Sequence, residues 1–173
     1  MDFKKTKQAL ELFAKAVKLK ARKNLKKEKQ ISSGKLLDSI DYNLNVSPNS
    51  FSLEFYMEDY GTFMDLGVKG SKSTYPESRN SPYKYSGRFK MINPASLDKW
   101  LIKKSLAPRD ESGRFIERKN LKYMIATSIY RKGLKGSRFF TSAFEEEFKN
   151  IDQQVQEAFG LDLDDFLIKT QVV

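Results

Sequence analysis

The 173-residue sequence contains no cysteine and no histidine. Without cysteine, disulfides, thiolate nucleophiles, zinc fingers and iron–sulfur sites are excluded. Without histidine there is no imidazole base, Ser-His-Asp triad or His-ligated metal, so any catalysis would have to use carboxylates, Lys or Tyr. No apolar run approaches the roughly 18 residues of a membrane span, and the start, MDFKKTKQ, lacks an apolar signal core. We therefore expect a soluble protein, made and used in a cytoplasm.

The chain contains many charged side chains, and their distribution along the sequence is uneven. The net charge is +10, and the apolar share of 39% with 13 Phe and 8 Tyr is enough to form a core. Four successive blocks, 1–30, 31–60, 61–140 and 141–173, carry +8, −4, +12 and −6. Alternating blocks suit copies that meet head to tail, and they also suit a nucleic-acid binder with an acidic tail. Solvated faces would give the same pattern.

The first 30 residues predict one long helix over 3–29. Its apolar stripe, expected to be buried, consists of Leu10, Phe13, Val17, Ala21 and Leu25. A second face of the same period is basic and consists of Lys15, Lys18, Arg22, Lys26 and Lys29. We expect this basic stripe to face outward, toward DNA or toward acidic residues of another copy. The acidic candidates are the helix start Glu145-Glu146-Glu147 and the segment Asp162, Asp164 and Asp165.

Alternating apolar residues predict a β-hairpin over 41–58 with a turn at 48–50. We expect a short helix before it, capped by Ser32 or Ser33 and holding Gly34 in its first turn. After the hairpin, 60–66 predicts a helix ended by Gly67.

The rest of the chain predicts loops and helices. Residues 68–95 predict a long loop, which is a feature that is usually functional or mobile. Helices are expected at 96–106, with Ser96 as N-cap and Trp100 inward, and at 121–133 and 142–158. A second polar loop is expected at 107–118. The tail 160–173 has no assigned structure. We expect a single domain, 1–173, in which 68–136 is an insertion.

Three groups of residues are candidates for chemistry. Two similar loops, Gly67 to Lys72 and Gly133 to Arg138, share the pattern Gly-x-Lys-Gly-Ser-basic, which can cradle a phosphate, although basic helix-ending turns have the same composition. A second group has acidic residues followed by a lysine, in the order found in several magnesium-dependent nucleases. Its members are Asp110, Glu111, Glu117 and Lys119. The long loop also carries aromatic and basic side chains that could stack on bases and contact phosphates. They could equally fasten the loop to its own domain or to a neighbouring subunit. These residues include Lys72, Tyr75, Tyr83, Tyr85, Arg88 and Phe89.

Three stretches of the sequence match motifs that occur together in one protein family. Gly34 to Ile40 matches a G-x-L-x-x-S-[IL] pattern that leads into the first strand. Tyr60-Gly-Thr-Phe63-Met-Asp65-Leu-Gly67 is similar to Tyr-Ala-x-Tyr-x-Glu-x-Gly-Thr, with Asp65 in place of Glu. Phe139-Phe140-Thr-Ser-Ala-Phe-Glu-Glu146, preceded by Arg138, is similar to Pro-Phe-Leu-x-Pro-Ala-x-Glu. Together the three stretches resemble the tail-completion, or head–tail connector, proteins of tailed bacteriophages.

The resemblance implies an α+β fold, with a long N-terminal helix and an antiparallel hairpin-based sheet flanked by helices, plus a helical insertion. It implies a structural virion protein that assembles in the bacterial host cytoplasm into a homo-oligomeric ring of six or twelve copies. Portal or adaptor and tail proteins would be its partners, and DNA would pass through a central channel. No catalytic residue, cofactor, metal or membrane is expected. Expected subunit contacts include Lys15, Lys18, Arg22, Lys26, Tyr60, Phe63, Arg138, Phe139, Phe140, Glu145 and Glu146.

An alternative remains open at this point. The basic charge and the Asp110 to Lys119 segment also suit a cytoplasmic DNA-binding protein, with magnesium-dependent nuclease activity as an extension of that role.

Overall fold

A computed structural model of the chain describes residues 3–27, 34–47, 50–86 and 91–171, with side chains as far as 168. The fold is mixed α+β, with a long N-terminal helix, a two-stranded antiparallel sheet and further helices, so the expected fold class is confirmed. The chain forms two compact units. Unit 1 comprises Met1–Gly61 and Arg138–Val173, and unit 2 comprises Thr62–Ser137. No helix of the described residues is long and apolar enough to cross a membrane.

Unit 1 is built around helix α1, Lys4–Lys27. The predicted apolar stripe is correct, since Phe13, Val17, Ala21 and Leu25 are buried and Leu10 packs against the core. The helix contains no Gly or Pro, so nothing in its sequence interrupts the ladder of hydrogen bonds. Lys29, the last residue of the predicted basic stripe, lies outside the described residues.

A short helix and the predicted hairpin follow α1. Helix α2, Lys35–Ser39, leads into strands β1, Asp41–Ser47, and β2, Ser50–Tyr56, which pair antiparallel with Leu44 opposite Leu53. Gly34 does not lie in the first turn of α2 as expected, but precedes it at φ 85°, a left-handed conformation that glycine adopts without strain. The expected caps Ser32 and Ser33, and 48–49 of the expected turn, lie outside the described residues.

Two C-terminal helices complete unit 1. Helix α6 spans Phe139–Phe148 and helix α7 spans Ile151–Gln171, so the prediction of one helix over 142–158 is wrong, and the tail is helical as far as Gln171. Residues 149–150 separate the two helices, and the buried Ala143 and Ile151 lie on either side of this break.

The hydrophobic core of unit 1 lies between α1, the hairpin and the two C-terminal helices. Phe13, Val17 and Ile151 are its buried centre. The rings of Phe13 and Phe55 meet edge to face at 6.4 Å, and partly buried apolar side chains surround the centre: Leu10, Leu53, Phe55, Phe140, Phe144 and Val155. The polar face of the hairpin points away from this core, as the alternation of exposed and partly buried residues shows.

Unit 2 has more regular structure than the sequence predicted. Helix α3, Tyr60–Leu66, crosses from unit 1 into unit 2 and ends at Gly67 as expected. The interval 68–95, predicted as a loop, contains strand β3, Val68–Lys69, and the 3₁₀ turns Pro76–Ser78 and Pro94–Leu97. Strand β4, Gly133–Leu134, pairs antiparallel with β3.

Two helices form the rest of unit 2. Helix α4 covers only Asp98–Lys103, whereas 96–106 was predicted, and its N-cap is Leu97 rather than Ser96, without a capping side chain. The side chain of Asn93 caps the preceding 3₁₀ turn by accepting a hydrogen bond from the backbone N–H of Ala95. Trp100 is not inward as expected but 38% exposed. Helix α5, Arg118–Lys132, ends at Gly133, close to the prediction.

Candidate functional site

The stretch Gly34 to Ile40 ties the base of the hairpin together. Leu36 and Ile40 are buried. The hydroxyl of Ser39 donates to the carbonyl of Leu36 at 3.0 Å and accepts a hydrogen bond from the backbone N–H of Glu58 at 3.0 Å. Ser39 therefore joins the segment that enters the hairpin to the segment that leaves it, which explains a serine at this position of the motif.

The stretch Tyr60 to Gly67 is constrained by close contacts at both ends. In unit 1, a Cβ at Gly61 would lie 2.8 Å from Leu36 Cδ1 and 2.6 Å from Met57 Sδ, so α3 begins in close contact with side chains of α2 and of the segment after the hairpin. In unit 2, Gly67 has φ 73°, and Asp65 is buried. Of the expected subunit contacts in this stretch, Tyr60 is 39% exposed. Phe63 contacts the ring of Tyr83 at 4.4 Å.

The stretch that opens α6 is part of the core of unit 1. Phe139 is 1% exposed and Ala143 is fully buried. The side-chain amide of Asn24 on α1 donates to the carbonyl of Phe139 at 3.0 Å and to the Ser142 hydroxyl at 3.3 Å. Phe140 is partly buried and lies 5.4 Å from the ring of Phe55. Both Phe139 and Phe140 therefore have packing roles within the chain.

The basic stripe of α1 is divided between internal and exposed residues. The Lys18 ammonium contacts Asp41 Oδ1 at 2.8 Å, and together with the Tyr42 backbone N–H it lowers the pKa of the Asp41 carboxyl. The Arg22 guanidinium donates to the carbonyls of Asp38 and Ile40, each at 3.2 Å. The expectation that the whole stripe faces outward is therefore wrong. Lys15 and Lys26 are exposed and have no ion pair among the described residues.

The acidic cluster of α6 also has partners inside the chain. Glu145, Glu146 and Glu147 lie near the end of α6, not at a helix start as expected. Lys20 Nζ lies 2.7 Å from Glu146 and 2.8 Å from Glu147, and these hydrogen bonds raise the pKa of Lys20 and lower the pKa of Glu146. Arg138 pairs with Glu145 at 2.7 Å on the surface. Lys20 completes this network, although the sequence pattern did not single it out.

Asp162 of α7 caps the N-terminus of α1. Its carboxylate accepts hydrogen bonds from the backbone N–H groups of Lys5 and Thr6, at 3.0 and 2.8 Å, and from the Thr6 hydroxyl at 2.8 Å. Burial by itself would raise the pKa of Asp162, but these bonds and the charge of Lys5 outweigh it, and the pKa is lowered. The free N–H groups of a helix start are usually satisfied by a neighbouring residue in sequence, whereas here the acceptor is 156 residues away.

We expect Asp162→Ala to lower the free energy of unfolding by about 2–3 kcal/mol, because several charge-assisted hydrogen bonds are lost. Because the native pKa is lowered, the contribution of Asp162 is present at neutral pH. It declines as the pH falls below about 4, where the unfolded chain takes up the proton first, and it is gone below the native pKa. Urea unfolding between neutral and acidic pH measures both effects.

The matched control for this prediction is Asp164→Ala, since Asp164 is an exposed acid of the same helix. It should change stability by less than about 0.5 kcal/mol. Equal losses from both variants, or a loss from Asp162→Ala that persists in full at acidic pH, would contradict the capping role.

The two glycine loops pair with each other in unit 2. In the antiparallel pair of β3 and β4, Val68 lies opposite Leu134 and Lys69 opposite Gly133. A Cβ at Gly67 would lie 2.5 Å from both the carbonyl of Leu134 and the backbone N of Gly136, so glycine permits the backbones to approach. The repeated motif therefore serves strand pairing.

The backbone N–H groups that a phosphate cradle would need are used within unit 2. Ser71 N–H donates to Tyr130 at 2.9 Å, and Lys72 N–H donates to Arg131 at 3.0 Å. Gly136 N–H donates to the hydroxyl of Ser78 at 3.0 Å, and Ser78 donates to the carbonyl of Leu134 at 2.7 Å. The cradle hypothesis is wrong for these groups, and the buried Ser78 is a structural residue that its polar sequence surroundings did not reveal.

The aromatic residues of 68–86 fasten this segment to unit 2. Tyr85 is 8% exposed, contacts the ring of Tyr130 at 5.9 Å, and has its pKa raised by burial. Tyr83 contacts Phe63, and Lys72 is exposed. Tyr83 and Tyr85 are therefore packing residues, not an open stacking surface. Arg88 and Phe89 lie outside the described residues.

The expected nuclease residues do not form a metal centre in the described part of the chain, where no group of three or more acidic side chains could hold a metal ion. Asp110 closes its own loop, since its side chain accepts from the N–H of Arg114 at 2.8 Å and its carbonyl accepts from Gly113 at 2.9 Å. The guanidinium of Arg109 lies over the ring of Phe115 at 4.1 Å and donates to the carbonyl of Gly113. These contacts give Asp110 a structural role in its own loop that does not require a metal.

Unit 1 exposes apolar surface along α7 and α1. None of the six side chains described after Asp162 is buried, and Leu163, Leu167 and Ile168 are 40%, 48% and 62% exposed. We call residues 163–168 the α7 end. A groove of about 500 Å³ lies between α1 and α7 and has a mixed lining, with Leu12 of α1 on one side and polar side chains such as Gln154 and Glu157 of α7 on the other. Leu12 is 59% exposed. Where exposed apolar side chains form a contiguous patch, such a patch is a candidate contact surface.

Comparison of the chain with protein-family models, with curated proteins and with solved structures gives no match.

Proposed function

We propose that this protein is a structural virion protein of a tailed phage, forming a ring at the head–tail interface by self-assembly. The proposed ring consists of identical copies that meet portal or adaptor proteins on one side and tail proteins on the other. The observation that carries the proposal is the order of the three motif stretches around the hairpin, together with the structural work that each stretch does.

The three stretches occupy positions where the fold constrains the residue type. Ser39 closes the base of the hairpin, Gly67 adopts the positive φ at which α3 ends, and Phe139 fills the core. A match at such positions supports a shared fold, and the function is carried over by analogy with the family.

The apolar surface of unit 1 supports self-assembly. The α7 end and the groove beside Leu12 are both exposed in a single copy, and both would lose contact with water if a neighbouring copy covered them. Two different patches on one subunit that fit each other give a head-to-tail contact, which closes into a ring when the rotation between copies permits. We propose the α7 end and the groove as the two sides of this contact.

The proposal predicts that purified protein forms a ring visible by electron microscopy and by native mass spectrometry. Leu163→Ser combined with Ile168→Ser should weaken assembly at least tenfold in concentration, as expected when more than about 1.4 kcal/mol of contact energy is lost per subunit. The fold should be retained, because both side chains are exposed.

A matched control is Ile102→Ser combined with Leu106→Ser, since these side chains of unit 2 are 60% and 46% exposed. This control should assemble as the unmodified protein does. A monomer at every concentration reached, or equal effects of the two double variants, would contradict the proposed ring contact. Labelling of purified particles for this protein would then test its presence in the virion.

The residues of the basic stripe differ in whether their charge can be reversed without damaging the fold. Reversing Lys18 or Arg22 would break contacts with Asp41 and with the carbonyls of Asp38 and Ile40, so it would damage the fold as well as any interface. Lys15 and Lys26 are the members of the stripe whose reversal leaves the described internal contacts intact.

The alternative of a cytoplasmic DNA-binding protein is favoured by one observation, the concentration of positive charge in unit 2. A monomer that binds duplex DNA with a steep salt dependence, or cleaves it with magnesium, would support that alternative in place of the ring.

A further inference from the structure

Unit 2 carries the whole excess of positive charge in the chain. Residues 62–137 contain 17 Lys+Arg and 6 Asp+Glu, a net charge of +11, whereas the remaining residues contain 15 and 16, a net charge of −1. Three stretches, 66–76, 78–97 and 118–144, contain no carboxylate side chain at all. The positive charge along these stretches is therefore not neutralised by neighbours in sequence.

The backbone of unit 2 brings cations from the three stretches together. Lys69 lies opposite Gly133 in the antiparallel pair and is bridged on its other side to Lys84 in parallel orientation. The N–H of Lys72 donates to the carbonyl of Arg131, which Lys132 follows. We call the resulting group the cation cluster, and its members are Lys69, Lys72, Lys84, Arg131 and Lys132.

The cation cluster has no internal counter-charge in the described residues. None of its members forms an ion pair there, whereas Lys122 and Lys135 of the same unit pair with Asp98 and Glu77. Lys69 is partly buried and the other four are exposed. Like charges on paired strands repel each other, so the placement of Lys69 beside Lys84 costs stability unless an anion lies against it.

We propose that the cation cluster binds the phosphate backbone of a nucleic acid. The backbone N–H groups of the glycine loops are already used, so the cluster offers side-chain charge rather than a cradle for one phosphate. Side-chain cations spread over three segments suit a ligand that presents several phosphates in a row, and such contacts position a nucleic acid without reading its sequence. This inference concerns unit 2 alone and does not depend on the proposed ring.

The test measures binding of the full chain to short labelled duplex and single-stranded DNA by fluorescence anisotropy. With up to five phosphates neutralised, affinity should fall on the order of 10²–10³-fold between about 50 and about 200 mM salt. The triple variant Lys72→Glu, Arg131→Glu and Lys132→Glu should bind at least tenfold more weakly, with the salt slope reduced by about 3.

The matched control reverses three exposed lysines of α1, Lys15→Glu, Lys23→Glu and Lys26→Glu, which changes the net charge by the same amount. It should weaken binding only a few-fold. If the Glu variant of unit 2 fails to fold, the corresponding Gln triple variant replaces it, and a reduced salt slope is still expected. Binding to either DNA form that depends on the cation cluster supports the proposal.

Three results would overturn the proposal. One is no binding to either DNA form at about 50 mM salt, where such contacts are strongest. Another is equal weakening by the two triple variants, which would mean that net charge alone is responsible. The third is tighter binding to anionic lipid vesicles than to DNA, with the same dependence on the cluster.

Discussion

Gly133→Ala is expected to destabilise unit 2 by about 3–5 kcal/mol, the combined cost of a left-handed backbone and of overpacking. Gly133 has φ 86°, where an alanine is strained. A Cβ there would also overlap the carbonyl oxygen of Val68 and lie 2.6 Å from the backbone N of Gly70. Both neighbours are backbone atoms of the paired segment, so they cannot rotate away as a side chain could.

Trp100 provides a local measurement of this effect. It is the single tryptophan of the sequence and belongs to unit 2, so its fluorescence during urea unfolding reports on that unit. Hydrogen exchange adds a second readout, since the amides of Ser71 and Lys72 donate to Tyr130 and Arg131 next to the strand pair. We expect these amides to lose protection in Gly133→Ala.

Two other glycines serve as controls that separate the stability cost of backbone strain from the stability cost of crowding. Gly113 has φ 78° with nothing within 4 Å of an added Cβ, so Gly113→Ala should cost only about 1–2 kcal/mol. Gly160 is helical and equally uncrowded, so Gly160→Ala should stabilise by about 0.5–1 kcal/mol. If Gly133→Ala costs no more than Gly113→Ala, the close approach of β3 and β4 does not limit the fold.

The sequence predicts those elements whose stability depends on local periodicity. Helix α1 and the hairpin were predicted correctly because an apolar stripe of period 3.6 and an alternation of period two are both visible within a short window. The break between α6 and α7 was missed, because no Gly or Pro marks it in the sequence.

The residues of unit 2 show why long-range contacts were harder to predict. The two glycine loops were recognised as similar, but their pairing joins segments about 65 residues apart through only two residues on each strand. Ser78 and Ser81 are buried in a polar segment, where periodicity gives no signal. The absence of acids from 118–144 was visible in the sequence and is the signal that could have indicated the cation cluster.

The charged surfaces also show the difference between what is visible in the sequence and what depends on long-range contacts. The composition indicated which side chains are charged, but only the fold shows which charges are already paired. Lys18, Lys20 and Arg138 are engaged with acids of the same unit, so the alternating charge blocks largely neutralise each other inside unit 1. Exposed pairs of this kind contribute only about 0–1 kcal/mol each, so their main effect is to remove these residues from the set available to a partner.

Phe139→Ala is expected to lower the free energy of unfolding by about 3–5 kcal/mol, the range typical of a buried phenylalanine. Phe139 is 1% exposed and is the largest of the fully buried side chains. Its truncation would leave a cavity under α1, next to the point where Asn24 binds the backbone of α6. Chemical unfolding followed by far-ultraviolet circular dichroism measures the loss, since α1, α6 and α7 supply much of the helical signal.

Two phenylalanines of the same helix serve as controls for Phe139→Ala. Phe148 is 48% exposed and its ring stacks on that of Phe144 at 5.3 Å, so Phe148→Ala should cost about 1–2 kcal/mol, less than Phe139→Ala. Phe140 is partly buried against Phe55, so Phe140→Ala should give an intermediate loss of about 1–2 kcal/mol. Phe139 and Phe140 are both among the subunit contacts expected from the sequence, with one alanine variant expected to lower stability and the other to weaken assembly. Because Phe140 also packs inside the chain, a subunit contact now requires that Phe140→Ala weakens assembly under conditions where the variant remains folded. Equal losses for Phe139→Ala and Phe148→Ala would mean that burial at the start of α6 does not determine the stability of unit 1.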